Sequence, residues 1–301
     1  MHQHEPTVGT VGWLGLGAMG YPMARRLSQS GYRVHAFDPH PDRAAALGPA
    51  ISAALTPAAA AAAADVLVVM VASPSQAEKA LFGVDGAVAG LGSGSSVVVL
   101  STLGLTWVRK LAERLPEGVR VVDAPVSGGV SRAVAGTLLI MAAGAEPADL
   151  ELLGALGEVV VVGASPGQGQ AMKMVNQVLC GVHIAAAAEA LTFAESLGID
   201  PRLAWETVRR GAAASFMLDD RGERMVAPTA GPVRSAVGLF VKDLHLVLDE
   251  AAGSGLPMSV VAAAATLFDD AADAGLAGHD DSELFDHILR RRGAAGGVRP
   301  S

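Results

Sequence analysis

The first half of this 301-residue chain alternates short β-branched runs with helical segments, and this alternation is the strongest constraint on its fold. The helical segments, such as Tyr21 to Ser30 and Leu105 to Leu115, place apolar residues three and four positions apart. Strands that alternate with helices predict a doubly wound, mostly parallel α/β sheet. The runs that we interpret as strands are Thr10 to Leu16, Tyr32 to Phe37, Val66 to Ala72, Ser96 to Ser101, Val119 to Ala124, Leu138 to Ala143 and Val159 to Val162.

The pattern changes after Ser165-Pro166-Gly167. From Gln168 to about Leu197 there is no proline and there are two glycines, Gly169 and Gly181, which predicts one helix of about thirty residues. No later stretch resembles a strand, and further helical patterns follow at Arg202 to Gly211, Val237 to Ala252 and Val260 to Ala274. The sequence therefore predicts two domains, a sheet domain over residues 8–166 and an all-helical domain over residues 167–296, joined by the long helix.

Composition excludes several classes of protein. The net charge of -8 and the pI near 5.4 argue against a nucleic-acid surface, which needs a basic stripe. The only cysteine, Cys180, can form neither an intrachain disulfide nor a cysteine metal site, and it favours a reducing cytoplasm. The first residues lack the features of a signal peptide, and no 18-residue apolar stretch is free of Gly, Pro and polar interruptions. We expect a soluble, cytoplasmic protein with no membrane partner.

A glycine-rich turn, Gly15-Leu16-Gly17-Ala18-Met19-Gly20, follows the first strand run and precedes the first helical run. In the Rossmann dinucleotide-binding pattern, Gly15 allows the tight turn and Gly17 lets the backbone approach the pyrophosphate. Gly20 lets the helix pack closely on the strand. The free amides and the positive end of the helix then hold the phosphates. This context predicts that the whole turn binds a dinucleotide.

Asp38 ends the second strand run, 18 residues after Gly20. A carboxylate at this place accepts hydrogen bonds from the adenosine ribose and repels a 2′-phosphate, which favours NAD over NADP. Arg43 is near enough in sequence to leave NADP open.

Lys173 lies in the apolar run Met172-Lys173-Met174-Val175-Asn176, in a chain where only 4 of the 22 basic residues are lysines. An ammonium is costly to desolvate there, and arginine cannot lose its proton near neutral pH, so a deprotonatable amine explains the residue better than a positive charge does. Asn176, three residues later, shares its helix face. We predict proton transfer by Lys173 beside a nicotinamide, without a metal.

Four motifs occur along the chain in this order: the glycine turn with Met23, Asp123-Ala124-Pro125-Val126-Ser127-Gly128-Gly129, Gly167-Gln168-Gly169 before Lys173 and Asn176, and Lys242-Asp243-Leu244. Together they resemble the motifs of the β-hydroxyacid dehydrogenase family, which includes the 3-hydroxyisobutyrate dehydrogenases, the tartronate semialdehyde reductases and the L-threonate dehydrogenases. The resemblance covers nearly the whole chain and implies a Rossmann domain followed by a helical domain. Arg132 and His279-Asp280-Asp281-Ser282 look most like the L-threonate dehydrogenase branch.

The resemblance also implies a role for each matching residue. Ser127, Gly128 and Gly129 would bind the substrate carboxylate, because glycines expose consecutive amides as an anion nest and the serine hydroxyl adds a donor. Lys173 would be the general acid and base, with its pKa lowered toward neutrality by desolvation, and Asn176 would orient the substrate.

For the cofactor, the resemblance implies that Lys242 contacts it near the active site, and that Val71, Ala72 and Thr102 line the nicotinamide side. Asp243 is expected to pair with Lys242 or to cap locally. Two positions depart from the family pattern: Asn176 is followed by Gln177 rather than by a second asparagine, and a proline common after the Thr102 position is missing.

The leading prediction is an NAD-dependent oxidoreductase that transfers hydride reversibly between the nicotinamide and a short hydroxy acid. The candidate acids resemble L-threonate, 3-hydroxyisobutyrate, or glycerate and tartronate semialdehyde. Apolar helices in a small second domain suggest a homodimer or homotetramer. Two alternatives stay open at this point: an NADP-dependent imine reductase, and a catalytically inactive dinucleotide-binding scaffold.

Overall fold

The computed structural model describes residues 9–46, 51–62, 64–227 and 233–295. Its contacts divide the chain into two units, Met1–Lys173 and Met174–Ser301. The predicted domain limits, 8–166 and 167–296, stay a prediction, and their outer residues, Val8 and Gly296, lie outside the described residues.

Unit 1 is built from alternating strands and helices. Its sheet has the strand order β3-β2-β1-β4-β5-β6-β8-β7, with β9 beside β8. Neighbouring strands are parallel except where β8 pairs with β6 and with β7. The elements are β1 Thr10–Leu14, α1 Gly20–Gln29, β2 Arg33–Phe37, α2 Pro41–Ala45, β3 Ile51–Ala53, α3 Pro57–Ala61, β4 Val66–Val69, α4 Pro74–Phe82, β5 Ser96–Val99, α5 Leu105–Arg114, β6 Arg120–Asp123, β7 Val126–Ser127, α6 Gly129–Ala135, β8 Leu138–Ala143, α7 Pro147–Gly154 and β9 Gly157–Gly163.

Both faces of the sheet are covered by helices, as in a doubly wound fold. The strand residues alternate between two hydrophobic clusters: Val98 of β5 joins α1, α6 and α7 on one face, and Val97 and Val99 join α3, α4 and α5 on the other. At Gly12 of β1 a Cβ would lie 2.5 Å from the carbonyl oxygen of Ala60, so α3 packs directly on the strand backbone. Burial on both faces explains why the strand runs are continuously apolar.

The chain order places a ligand-binding edge at the ends of the parallel strands. The chain runs outward from β1 to β3 and then returns to β4 on the other side of β1, so the topological switch point lies between β1 and β4. Ligands of open α/β sheets bind outside the carboxyl ends of the strands at such a point. We call the loops that follow β1, β2, β4 and β5 the carboxyl edge.

The long helix is α8, Gln168–Ser196, and the division between the two units falls inside it. Unit 2 continues with α9 Pro201–Val208, α10 Phe216–Met225, α11 Val237–Gly253, α12 Ser259–Ala271 and α13 Leu284–Ala295. Apart from one isolated bridge between Ala236 and Asp280, its described residues form no strand. The predicted fold class, a Rossmann sheet followed by helices and joined by one long helix, is confirmed.

By length and composition alone, α8 is long and apolar enough to cross a membrane, which qualifies the expectation drawn from its interrupted sequence. However, 56% of its most apolar window is buried inside the protein. Its buried Gln170 and Gln177 are hydrogen-bonded to side chains of the protein, each within its own unit. A core helix passes the same test of length and hydropathy, and we interpret α8 as such a helix.

Candidate active site

The three glycines of the turn after β1 differ in what surrounds them. Gly15 has a φ of 98°, and a Cβ there would lie 2.4 Å from the carbonyl oxygen of Met70. A Cβ on Gly20 would lie 2.1 Å from the carbonyl oxygen of Gly15. Beside Gly17, in contrast, there is no heavy atom within 4 Å of that position. The fold itself requires Gly15 and Gly20, whereas Gly17 leaves open space of the kind that a pyrophosphate needs.

Asp38 is turned toward the glycine turn. Its carboxylate accepts hydrogen bonds from the backbone N–H groups of Leu16 at 2.7 Å and His40 at 2.9 Å, and its residue is 7% exposed. The guanidinium of Arg43 lies 3.5 Å from it. Asp38 therefore ties the turn to the end of β2, and its charge is partly balanced by an arginine. A cavity of about 640 Å³ opens beside Gly17, with Arg25 and Arg43 in its lining.

The predicted nicotinamide-side residues continue the same edge. The carbonyl oxygen of Val71 accepts a hydrogen bond from Ser101 Oγ at 2.8 Å, and the N–H of Ala72 donates to Gln76 Oε1 at 3.0 Å. Thr102 follows Ser101 directly. The structure thus brings the glycine turn, Asp38, Val71, Ala72 and Thr102 together along the carboxyl edge. Their contacts with a cofactor stay a prediction.

Gln170, which the sequence analysis did not single out, joins this edge to α8. Its Oε1 accepts hydrogen bonds from the N–H groups of Leu103 at 2.9 Å and Gly104 at 3.1 Å. Its Nε2 donates to the carbonyl oxygen of Ser101 at 3.1 Å and to Asp123 Oδ1 at 2.9 Å. The side chain is fully buried, and all four of its hydrogen-bonding positions are used.

Asp123, at the end of β6, holds the start of α8. Its Oδ2 accepts hydrogen bonds from the N–H groups of Gly167 at 2.8 Å and Gln170 at 2.9 Å. Burial raises the pKa of the Asp123 carboxyl, against hydrogen bonds from Gln170 and Gly167 that lower it. An acceptor at the positive end of a helix satisfies N–H groups that have no partner inside the helix. In the sequence, Asp123 was only the first residue of a motif, and nothing there indicated that it contacts the start of α8.

Lys173 follows one turn after Gln170 in the part of α8 that unit 1 contains. The residue is only 7% exposed, so most of its side chain is out of contact with bulk water. The anchored first turn of the helix thus carries a buried lysine, and its role in proton transfer stays a prediction.

Ser127, Gly128 and Gly129 form the bend between β7 and α6. Gly128 has a φ of 135° and Gly129 a φ of 70°, in the left-handed region that favours glycine. A Cβ on Gly128 would lie 2.5 Å from Cδ of Arg132, so the methylene stem of that arginine rests against the bend. The segment has the consecutive glycines of an anion nest with a cationic side chain beside it; that it binds a carboxylate stays a prediction.

In unit 2 a second hydrogen-bonded group surrounds Asp243. Asn176 Nδ2 donates to Gln177 Oε1 at 2.8 Å, and Gln177 Nε2 donates to Asp243 Oδ2 at 2.6 Å. Lys242 Nζ donates to Asp243 Oδ1 at 2.7 Å. The expected pairing of Asp243 with Lys242 is confirmed. The departure at Gln177 has a structural use that the sequence did not reveal, since this side chain reaches the buried Asp243.

The chemistry of the carboxyl edge suits a dinucleotide. It offers a strand–glycine turn–helix unit with open space at Gly17, followed by loops with buried hydrogen bonds. Among the described residues, no group of three or more His, Cys, Asp or Glu side chains is placed to hold a metal ion.

Comparison with known proteins agrees with this geometry. The family model described as the NAD binding domain of 6-phosphogluconate dehydrogenase matches residues 10–163. The one described as the NAD-binding of NADP-dependent 3-hydroxyisobutyrate dehydrogenase matches residues 167–288. L-threonate dehydrogenase of Cupriavidus necator is 39% identical over 283 residues, which cover 91% of this chain and 94% of that protein.

Solved structures give the same result. The crystal structure of 3-hydroxyisobutyrate dehydrogenase from Salmonella typhimurium has a TM-score of 0.84 at 34% identity, and the match covers 92% of this chain and 99% of that one. Psf3 in complex with NADP⁺ and 2-OPP has a TM-score of 0.80 at 27% identity, with 92% and 99% covered.

Both halves of the chain therefore match NAD(P)-binding families, in the order in which the motifs occur. The chain belongs to the β-hydroxyacid dehydrogenase family, in the group that is similar to 3-hydroxyisobutyrate dehydrogenase, and it has the NAD(P)-binding domains of that family.

Proposed function

We propose that this protein is an NAD-dependent dehydrogenase that interconverts a short hydroxy acid and its carbonyl form, with Lys173 as the general acid and base. One observation carries the proposal. A lysine residue is buried one turn beyond Gln170, which fastens α8 to the loop after β5. A lysine that snorkels at a helix surface would instead extend its ammonium to water.

A bound nicotinamide dinucleotide, held at the glycine turn and Asp38, would supply the hydride acceptor for the carbon that carries the hydroxyl. Lys173 takes the hydroxyl proton in this direction and returns it to the carbonyl oxygen in the other. A neutral amine is required for the first role. Asn176 orients the substrate through its amide, and Lys242, held by Asp243, contacts the cofactor.

For the substrate, we propose a polyhydroxy acid similar to L-threonate. Ser127 Oγ and the N–H groups of Gly128 and Gly129 would hold its carboxylate, and the aliphatic stem of Arg132 lies against the same bend. The support from the comparisons is the name of the relative from Cupriavidus necator. Acids similar to 3-hydroxyisobutyrate, glycerate and tartronate semialdehyde are the next candidates.

For the cofactor, we propose that NAD is preferred to NADP. The carboxylate of Asp38 lies at the end of β2, where a 2′-phosphate would approach it. Arg43, at 3.5 Å from that carboxylate, supplies the opposing attraction. The ratio of kcat/KM for the two cofactors measures the balance directly, and a larger value with NADP would contradict the preference.

The test of the catalytic role is Lys173→Ala, with Lys110→Ala as the matched control on an exposed lysine of α5. We expect Lys173→Ala to lose turnover by about 10²- to 10⁴-fold, as removal of a general acid or base does, while NADH still binds. Lys110→Ala should keep both. Retained turnover in Lys173→Ala would refute the assignment.

The substrate class is tested with a panel of hydroxy acids, by the absorbance of the NADH formed. Turnover of cyclic imines with no response to any acid would instead indicate an imine reductase. Cofactor binding without turnover of either class would indicate an inactive scaffold.

We also propose that the protein is a cytoplasmic homodimer or homotetramer. In unit 2, one face of α8 leaves large apolar side chains at least half exposed, at Val175, Leu179 and Phe193. Large apolar side chains exposed on one helix face are a feature of subunit interfaces. A monomeric mass by light scattering at working concentration would contradict the assembly.

A further inference from the structure

We propose that Gln170 is a positioning residue for the reaction: it sets where the Lys173 amine stands relative to the loop over residues 101–104. The inference deepens the proposed function and rests on the role assigned to Lys173. Gln170 itself is no acid or base, and it acts through the residues that it holds.

The amide of Gln170 can take only one orientation in its site. Two N–H groups, of Leu103 and Gly104, point at Oε1, and two acceptors, Ser101 O and Asp123 Oδ1, face Nε2. A flipped amide would set donors against donors and acceptors against acceptors. Because the side chain is fully buried, water cannot replace any of the four bonds. The side chain therefore fixes three backbone segments in one arrangement.

Those segments are the ones that the proposed chemistry needs. The loop after β5 carries Thr102, and Ser101 passes the contact on to Val71 through its hydroxyl. The end of β6 carries Asp123, which also holds the Gly167 N–H before the helix begins. The third segment is α8 itself, in which Lys173 follows Gln170 by three residues, or about 4.5 Å along the axis.

A shift at Gln170 therefore reaches Lys173 almost undiminished, since the two residues lie in adjacent turns of one helix. A misplacement of about 1 Å in a reacting group can lower the rate by about 10²-fold. The aliphatic part of the Gln170 side chain only fills space. Its amide makes the hydrogen bonds that set the distance between α8 and the loop over residues 101–104.

Gln170→Leu removes the four hydrogen bonds and keeps a side chain of similar size. We expect kcat to fall by about 10²-fold, with much smaller changes in the KM values for the acid and the cofactor. The matched control is Ser96→Ala, at the opposite end of β5, which deletes the buried hydrogen bond from Ser96 Oγ to Asp149 Oδ1. The control should lower the urea midpoint of unfolding and leave kcat unchanged.

Gln170→Glu adds a signature that a merely structural role would not produce. The ionised side chain of this variant faces the carboxylate of Asp123, and two adjacent carboxylates take up one proton between them as the pH falls. The protonated side chain again offers one donor and one acceptor. We therefore expect kcat of this variant, relative to the unmodified protein at the same pH, to rise as the pH is lowered.

The outcomes separate the two ideas. Lower kcat in Gln170→Leu, unchanged kcat in Ser96→Ala and recovery of Gln170→Glu at low pH support the positioning role. If Gln170→Leu does not fold, the pH profile of Gln170→Glu decides alone, and a flat ratio overturns the inference. An active Gln170→Leu beside an inactive Lys173→Ala overturns the inference but keeps the proposed function, whereas an active Lys173→Ala removes both.

Discussion

Adding one methyl group at Gly17 and at Gly20 should have opposite effects on stability, although both positions belong to the glycine turn. In the structure, a Cβ at Gly17 meets no heavy atom within 4 Å, while a Cβ at Gly20 would lie 2.1 Å from the carbonyl oxygen of Gly15. Non-bonded carbon and oxygen atoms need about 3 Å or more, so Gly20→Ala forces the strand and helix apart by about 1 Å, and such overpacking costs about 1–3 kcal/mol.

Gly17→Ala should leave the free energy of unfolding unchanged or slightly higher, because it restricts the unfolded chain without a clash in the folded one. Its cost appears on cofactor binding. The new methyl group occupies the space through which a pyrophosphate reaches the backbone amides. Loss of two charge-assisted hydrogen bonds, at about 1.5–3 kcal/mol each, amounts to about 3 kcal/mol or more. That energy corresponds to a weakening of the Kd by about 10²-fold or more.

The assay combines urea unfolding without cofactor and titration of NADH by its fluorescence. The expected pattern is a normal unfolding midpoint with weak NADH binding for Gly17→Ala, and a lowered midpoint for Gly20→Ala. A Gly17→Ala protein that binds NADH as tightly as the unmodified chain would show that the pyrophosphate does not lie over this turn.

Two further outcomes follow from side chains on the two units. Arg132→Leu should raise the KM for the acid by about 10- to 100-fold, the equivalent of one charge-assisted hydrogen bond, and leave the KM for the cofactor unchanged. If the KM for the acid is the same in the variant and the unmodified protein, the carboxylate binds elsewhere. Burial, and then the cation of Arg291, lower the pKa of His287 on α13. The unfolded chain then binds the proton more readily, so stability is lost as the pH falls from the ordinary histidine pKa through the lowered one. His287→Leu should show a smaller loss of urea midpoint between neutral and mildly acidic pH, and an identical pH dependence in both proteins would contradict this.

The main elements could be predicted from the sequence because their signals are local. Valine-rich runs bounded by turns indicate buried strands, and the absence of proline after Gly167 indicates α8. The strands β3 and β7 were not predicted, because β3 has only three residues and β7 only two, which is too few to show a periodic pattern. The first predicted run extended to Leu16, two residues past the end of β1. The first residues of the glycine turn are also apolar, so the sequence does not show that the backbone has already left the sheet.

The site was predictable only where a residue stands out by type. Lys173 is conspicuous because its neighbours are apolar, and the spacing of the glycines indicates a tight turn of the backbone. Gln170 has no such distinguishing feature, and Gln177 differs from the family pattern without indicating a contact. A glutamine in a helix is ordinary unless its partners are known, and those partners, Asp123 and Asp243, are distant along the chain. Long-range polar contacts of this kind have no period and no fixed spacing.

The hydrogen bonds around the first turn have a consequence for how the cofactor is captured. Trp13 Nε1 donates to the carbonyl oxygen of Gly15, Gly15 N–H to that of Phe37, and Leu16 N–H to Asp38. The turn therefore owes its shape to protein contacts alone. A dinucleotide arriving from solution meets a preorganised surface, and little binding energy is lost to ordering the chain. Capture is then governed by the frequency of encounter rather than by any rearrangement of the loop.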